Sequence, residues 1–294
     1  MKTIELLKKF KKKVDKDIVE ENSKDKKDLL ELQKTLSSLD LDSFKNSNNL
    51  DNFIKKITPA DKILFVHRHQ YPNASTVINT RQRKYASQWS EIIWSLAFEK
   101  LTESLQKKTY MKLHTIRDDD VVIGIFENGS QKTKTVDAGI AIESANPITN
   151  KKILIPLILA EDKTGHACGT THSNFNGVSS QIRSSFNKAV NFLLTENNVS
   201  SGQTTIVDVY DSIDGTIQIR TGDKIDRKKM NPVPYYPIRT ENINKFYTKM
   251  DEYFDSSKIE ECAKIDLIPI KNGKFYRIQL KENGGIYFHD RLSQ

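Results

Sequence analysis

The amino-acid sequence predicts an α/β fold, with a mixed, five-stranded-type sheet flanked by helices and preceded by an N-terminal helical segment. Apolar residues recur at helical spacing through residues 2–36 and again through 80–106. Two apolar runs of strand length, 136–142 and 153–160, are separated by turn-forming residues. A helical pattern and then a β-rich run at 204–210 follow them, an order typical of a sheet with a crossover helix.

The first helical segment differs in pattern from the rest of the chain. In residues 2–36 the apolar positions alternate with lysines and acids, and a break rich in Asn, Asp and Ser follows. We expect residues 1–57 to form a helical segment packed on the core or extending from it, and 58–294 to form the functional domain. A coiled arm, a cap on the core and a solvated helical hairpin all fit this pattern.

The middle of the chain alternates between helix and strand patterns. Residues 80–106 carry one apolar stripe, and residues 121–126 form an apolar run that ends at a turn signal. The runs 136–142 and 153–160 follow as strands. Residues 178–194 are predicted as a helix. The later elements are a central strand at 204–210, a helix at 242–254 and strands at 265–270, 275–280 and 285–288.

The composition is that of a folded protein with a basic surplus. Of the 294 residues, 37% are hydrophobic and 29% are charged, which allows a sizeable core and does not suit a disordered chain. The formal net charge is +8 and the pI is near 9.2. A basic face gathers phosphates and releases their counterions, so nucleic acid fits as a partner, although many basic proteins bind none.

Several functional classes lack their sequence features here. Cys168 and Cys262 are too few for a disulfide framework and too far apart for a zinc site built from cysteines alone. No run resembles a signal peptide, and the longest apolar stretch, 153–160, is too short to cross a bilayer. A Walker-type glycine loop, a GxSxG elbow and an HExxH helix are absent. We expect a cytoplasmic protein with no membrane contact and no nucleotide cofactor.

Charged residues end the apolar run 153–160, where Glu161, Asp162 and Lys163 follow without a break. Alternation along a strand places Glu161 and Lys163 on one face and Asp162 on the other. Charges at the end of a buried strand are unfavourable unless they are paired or hold a metal. Antiparallel pairing with the preceding strand brings Asp137 beside Glu161. A salt bridge that serves only structure is the alternative to a functional site.

These side chains meet the needs of phosphodiester hydrolysis. Two carboxylates, Asp137 and Glu161, offer Mg²⁺ hard oxygen ligands and leave positions for water and a phosphate oxygen. The bound ion lowers the pKa of its water and neutralises charge that grows in the transition state. A nearby Lys163 can orient or deprotonate the attacking water, or stabilise negative charge.

The pattern resembles the PD-(D/E)xK nucleases, and among them the EcoRI-like type II restriction endonucleases. Residues 137–140 read DAGI and residues 160–163 read AEDK, where that family has an Asp-Gly-Gly-Ile-like strand start and a strand ending in Ala-Glu-Ala-Lys. The likeness covers roughly residues 120–212, and Val136 stands where the family has proline.

The resemblance implies a restriction-endonuclease-like core in residues 58–294, with Asp137, Glu161 and Lys163 as catalytic residues and Mg²⁺ as cofactor. It implies a homodimer that cuts double-stranded DNA at a short palindrome within a restriction–modification system. Two alternatives stay open. One is another PD-(D/E)xK nuclease, acting in repair or on DNA structures. The other is a non-catalytic DNA-binding protein in which the charges form a structural cluster.

A further acid in this family often comes from the helix before the sheet. Glu91 is the candidate on the helix at 80–106, with Glu99 as the other choice and a surface role as the alternative. Asp118, Asp119 and Asp120 also precede an apolar run, but they are predicted to be solvated loop acids.

The polar segment 164–177 is predicted to be a long loop of the kind that often carries function. The resemblance implies that this loop and the following helix start recognise DNA bases. His and Cys residues in it match no standard zinc module. Asn, Gln and Arg side chains can hydrogen-bond base edges or phosphates, and a helix start also suits phosphate. The candidate DNA-binding residues are Asn174, Asn176, Gln181 and Arg183, together with the basic cluster Arg81, Arg83 and Lys84. A solvated run of charges is the alternative for the basic cluster.

Overall fold

The computed structural model describes residues 2–20, 26–39, 50–70, 77–163, 169–195, 214–220 and 234–270. Seven helices and seven strands lie within these ranges. The helices are α1 Lys2–Glu20, α2 Lys26–Ser37, α3 Leu50–Gln70, α4 Val77–Gln106, α5 Gly169–Ser185, α6 Thr240–Tyr253 and α7 Ser256–Cys262. The strands are β1 Leu113–Ile116, β2 Asp119–Ile125, β3 Gln131–Val136, β4 Ala138–Ala145, β5 Lys152–Lys163, β6 Val190–Thr195 and β7 Gly215–Gln218.

The main sheet is mixed and has five strands in the order β1-β4-β5-β6-β7. Its first two pairings are antiparallel, and the pairings of β5 with β6 and of β6 with β7 are parallel. Helix α5 is the crossover between the parallel strands β5 and β6. The predicted α/β class, with a five-stranded mixed sheet and N-terminal helices, is confirmed. Strands β2 and β3 form a separate two-stranded sheet.

Helices α1 and α3 pack against α4, and α2 packs against α1 and α3. Phe10 of α1 lies between two aromatic residues of α4, with ring centroids 5.6 Å from Tyr85 and 5.5 Å from Trp89. The start of α1 is held by Glu99, whose carboxylate accepts hydrogen bonds from the backbone and hydroxyl of Thr3 at 3.1 and 2.8 Å. The domain boundary predicted at residue 57 falls inside α3, and the division into 1–57 and 58–294 stays a prediction. Among the described helices, none has the length and apolar character needed to span a membrane.

The helix predicted at 178–194 is wrong in its second half. Helix α5 ends at Ser185, and β6 begins at Val190. All six residues of β6 are buried, because a central parallel strand is covered on both faces and has no polar alternation. A continuous apolar run of this kind cannot be distinguished from a buried helix by its periodicity.

Other predicted elements differ at their ends or fall outside the described residues. Helix α5 begins at Gly169, so much of the loop predicted at 164–177 is helical. The strand predicted at 265–270 is reduced to a single bridge between Phe126 and Ile268. The strands predicted at 204–210, 275–280 and 285–288 lie outside the described residues.

Gly139 allows β4 and β5 to approach each other at the start of their pairing. Its φ is +156°, and a Cβ built there would lie 2.2 Å from the carbonyl oxygen of Ile158. Two residues further on, the register shifts between Ile140 and Ala141, opposite Pro156. A bulge there tolerates the missing N–H of proline.

Replacing Gly139 with alanine is expected to lower the free energy of unfolding by at least about 2 kcal/mol, because the new methyl group meets backbone. Urea denaturation measures this loss. The matched control is Gly177→Ala, since a Cβ at Gly177 has nothing within 4 Å and the residue lies in α5. That change is expected to stabilise the protein by about 0.5 kcal/mol. Equal stability of the two variants would contradict the close approach at Gly139.

Candidate active site

Asp137 lies at the junction of the two sheets. Strand β3 ends at Val136 and β4 begins at Ala138, so Asp137 is the single residue at which the chain passes from the small sheet to the large one. The strand predicted at 136–142 therefore begins two residues later, at Ala138, and Val136 belongs to β3. Ala138 pairs with Ala160, which brings Asp137 to the charged end of β5. There the Asp137 Oδ2 accepts a hydrogen bond of 2.8 Å from the backbone N–H of Asp162.

Glu161 is partly buried at the same end of β5. Its side chain is 16% exposed, and its Oε2 lies 3.3 Å from the Nζ of Lys134 on β3. Lys134 is not predicted from the sequence, because a lysine in an exposed, polar strand gives no functional signal. Lys163 ends β5, where its backbone pairs with Thr195 of β6. The side chain of Lys163 lies outside what the structure describes.

Alternation along the strand predicts that Asp162 points to the opposite face of β5 from Glu161 and Lys163. Both carboxylate oxygens of Asp162 are buried. Burial lowers the pKa of the Arg117 guanidinium, and the charge of Asp162 opposes that shift. The backbone of Asp162 also holds Asp137 through the hydrogen bond described above. Asp162 therefore contributes to the electrostatics of this corner, and its backbone orients a candidate metal ligand.

Arg117 is a residue of this corner that the sequence analysis missed. It lies in the turn between β1 and β2, its side chain is 6% exposed, and its Nη2 donates to Glu91 Oε2. Burial lowers the pKa of Arg117, and the carboxylates of Asp118, Asp162 and Asp137 oppose that shift. An arginine beside a run of aspartates is typical of a protein surface, so nothing in the sequence indicated that Arg117 is buried.

The structure separates the two candidate acids of α4. Glu91 is 21% exposed and contacts Arg117, so α4 presents its carboxylate towards the β1–β2 turn. Glu99 is 7% exposed and anchors the start of α1, so it belongs to a structural contact. Of the competing acids, Asp118 lies exposed in the turn before β2, as predicted, whereas Asp119 and Asp120 lie in β2 and not in a loop. The Asp119 Oδ2 accepts a hydrogen bond of 3.0 Å from the backbone N–H of Arg117.

The candidate DNA-binding residues lie on helices. Gln181 of α5 accepts a hydrogen bond of 2.6 Å from Lys132 of β3. Arg183 of α5 donates to Asp214 at 2.7 Å. Asn176 of α5 is partly buried. The backbones of Asn174 in α5 and of Arg81, Arg83 and Lys84 in α4 are helical, but these four side chains lie outside the described residues.

The donors at the end of β5 fit a hard cation. Mg²⁺ is commonly bound through one or two carboxylates, with water and substrate phosphate filling the other positions. Asp137 and Glu161 supply such oxygens, and Glu161 retains some exposure. Among the described residues, no group of three or more His, Cys, Asp or Glu side chains could enclose a metal ion. An ion held by Asp137 and Glu161 would keep open positions for water and phosphate.

Comparison with known proteins gives little similarity. No protein-family model matches the sequence, and no curated protein matches it. A solved structure described as the native BbvCI A2B2 tetramer at low resolution matches with a TM-score of 0.37 and 10% sequence identity. The match covers 76% of this chain and 95% of that chain. A similarity this remote carries no argument about chemistry, so the site is assigned from its own residues.

Proposed function

We propose that this protein is a type II restriction endonuclease that hydrolyses double-stranded DNA at a short palindromic sequence with Mg²⁺ as cofactor. The observation that carries the proposal is the hydrogen bond from the Asp162 backbone to the Asp137 carboxylate. It fixes one carboxylate of the DAGI segment at the end of the strand that bears Glu161 and Lys163. The resemblance to the PD-(D/E)xK nucleases assigns catalysis to these residues.

Each residue of the corner has a role in this proposal. Asp137 and Glu161 hold the ion, and the backbone N–H of Asp162 keeps the Asp137 carboxylate oriented. When bound, Mg²⁺ lowers the pKa of a coordinated water and neutralises charge at the phosphate. Lys163 orients the attacking water or stabilises the charge that develops. Glu91 is a further acid at the edge of the site, held by Arg117.

Recognition of DNA is proposed to involve α5 and the start of α4. Helical N-termini and basic side chains position phosphates, and polar side chains read base edges. A symmetric homodimer suits a palindrome, because each subunit then cuts one strand. A restriction–modification system in the cytoplasm is the setting that this activity implies. The proposed contacts are those of Asn174, Asn176, Gln181, Arg183, Arg81, Arg83 and Lys84.

Incubation of the purified protein with plasmid and phage DNA tests the function. Discrete fragments in the presence of Mg²⁺, and intact DNA in EDTA, are expected. A smear would replace the proposal with a nonspecific or structure-specific PD-(D/E)xK nuclease. A gel shift with uncut DNA at all Mg²⁺ concentrations would instead indicate a non-catalytic DNA-binding protein.

A further inference from the structure

Arg117 is a buried cation to which the proposed cleavage chemistry gives no role beyond its contact with Glu91. Within the described part of the chain, its Nε and Nη1 atoms are buried and have no hydrogen-bond acceptor. Nε lies 3.7 Å from Asp118 Oδ2, which is beyond hydrogen-bond distance. Buried arginine donors are normally satisfied, so two buried N–H-bearing atoms without acceptors call for an explanation.

The surroundings of Arg117 are rich in negative charge. Its Nη2 contacts Glu91. Burial lowers the pKa of Arg117, and the negative charges of Asp118, Asp162 and Asp137 oppose that shift. Asp162 has both oxygens buried, and its backbone is bonded to Asp137. Carboxylates gathered in a buried corner repel one another, and a fixed positive charge among them offsets this repulsion.

Resting on the metal site proposed above, we propose that Arg117 is a positioning residue that serves as the internal counter-cation of that site. It holds Glu91, Asp137 and Asp162 together before Mg²⁺ binds. Its charge also repels the ion and so limits the affinity of the site. With a side chain only 6% exposed, Arg117 acts through the carboxylates and does not contact DNA phosphate.

Thermal unfolding of the whole chain without DNA tests this role, with EDTA in one series and excess MgCl₂ in the other. Arg117→Met is expected to lower Tm in EDTA. Mg²⁺ is expected to raise the Tm of this variant by at least about 3 °C more than that of the wild type, which corresponds to roughly tenfold tighter binding. Arg117→Lys keeps the positive charge, so Mg²⁺ is expected to raise its Tm by about as much as that of the wild type.

A matched control removes one positive charge elsewhere. Lys108 Nζ pairs with Asp251 Oδ1 at 3.1 Å, joining the end of α4 to α6. Lys108→Met is expected to lower Tm by the same amount with and without Mg²⁺. If Arg117 were purely structural, Arg117→Met would also lose the same Tm with and without Mg²⁺. A Mg²⁺-dependent loss in Arg117→Met but not in Lys108→Met therefore reports on the metal site.

The outcomes separate this inference from the proposed function. The role of Arg117 would be overturned if Mg²⁺ raised the Tm of the wild type and of Arg117→Met by the same amount. The same holds if Mg²⁺ changed neither Tm. Whether plasmid DNA is cut decides the nuclease proposal independently. Should Arg117→Met fail to fold in both buffers, the double variant Arg117→Met/Glu91→Gln removes one charge of each sign and is expected to fold. Its failure to fold would also overturn the inference.

Discussion

Replacing Glu161 with glutamine is expected to lower the rate of DNA cleavage by at least about 10³-fold, because a metal contributes several kcal/mol of transition-state stabilisation that needs its ligand. The amide keeps the shape of the side chain but loses the charge that holds a divalent cation. Affinity for DNA is expected to stay within about threefold, since phosphate contacts away from the site supply most of it. Plasmid cleavage under single-turnover conditions and a gel shift in Ca²⁺ measure the two quantities.

Asp120→Asn is the matched control for Glu161→Gln. Asp120 also lies in a strand next to the sheet junction, but its Oδ1 accepts from the hydroxyl of Thr135 at 2.6 Å and the contact is exposed. This variant is expected to cut at the rate of the wild type. Lys163→Ala is expected to lose cleavage as Glu161→Gln does. Normal cutting by Lys163→Ala would refute the role of that lysine, and normal cutting by Glu161→Gln would refute the site.

Removing the guanidinium of Arg220 is expected to lower the free energy of unfolding by about 3–5 kcal/mol, because it leaves the buried Asp61 carboxylate without its cation. Arg220 donates to both oxygens of Asp61 at 2.8 Å, and the two side chains are 3% and 0% exposed. Trp89 and Tyr235 donate to the same carboxylate at 3.0 and 2.7 Å. Urea denaturation of Arg220→Met measures the loss.

The control for the Arg220 prediction is an exposed ion pair. Glu103 lies 3.4 Å from Lys100 on α4 and is 57% exposed. Glu103→Ala is expected to change stability by no more than about 0.5 kcal/mol. The double variant Asp61→Leu/Arg220→Met is expected to be more stable than Arg220→Met, because no lone charge stays buried. A loss below about 1 kcal/mol for Arg220→Met would show that the network does not stabilise the fold.

Local pattern predicted most of the elements around the candidate site. Strong periodicity located α4, and the paired apolar runs located β4 and β5, whose register carries Asp137 to the end of β5. The prediction failed at β6, where a strand buried on both faces shows no alternation. It also failed at the start of α5, because small polar residues favour loops and helix starts alike.

The amino-acid sequence by itself determined the α/β class and the place of Asp137 at the end of the strand that bears Glu161. Both follow from local periodicity and from the pairing of two strands adjacent in the chain. Only the tertiary structure decided that Arg117 lies buried against Glu91 and that Asp162 belongs to the same corner. It also decided that Asp61 and Arg220 form a buried pair. Such contacts join residues far apart in sequence, and their partners leave no periodic signal, so they exist only once the helices and the sheet have packed together.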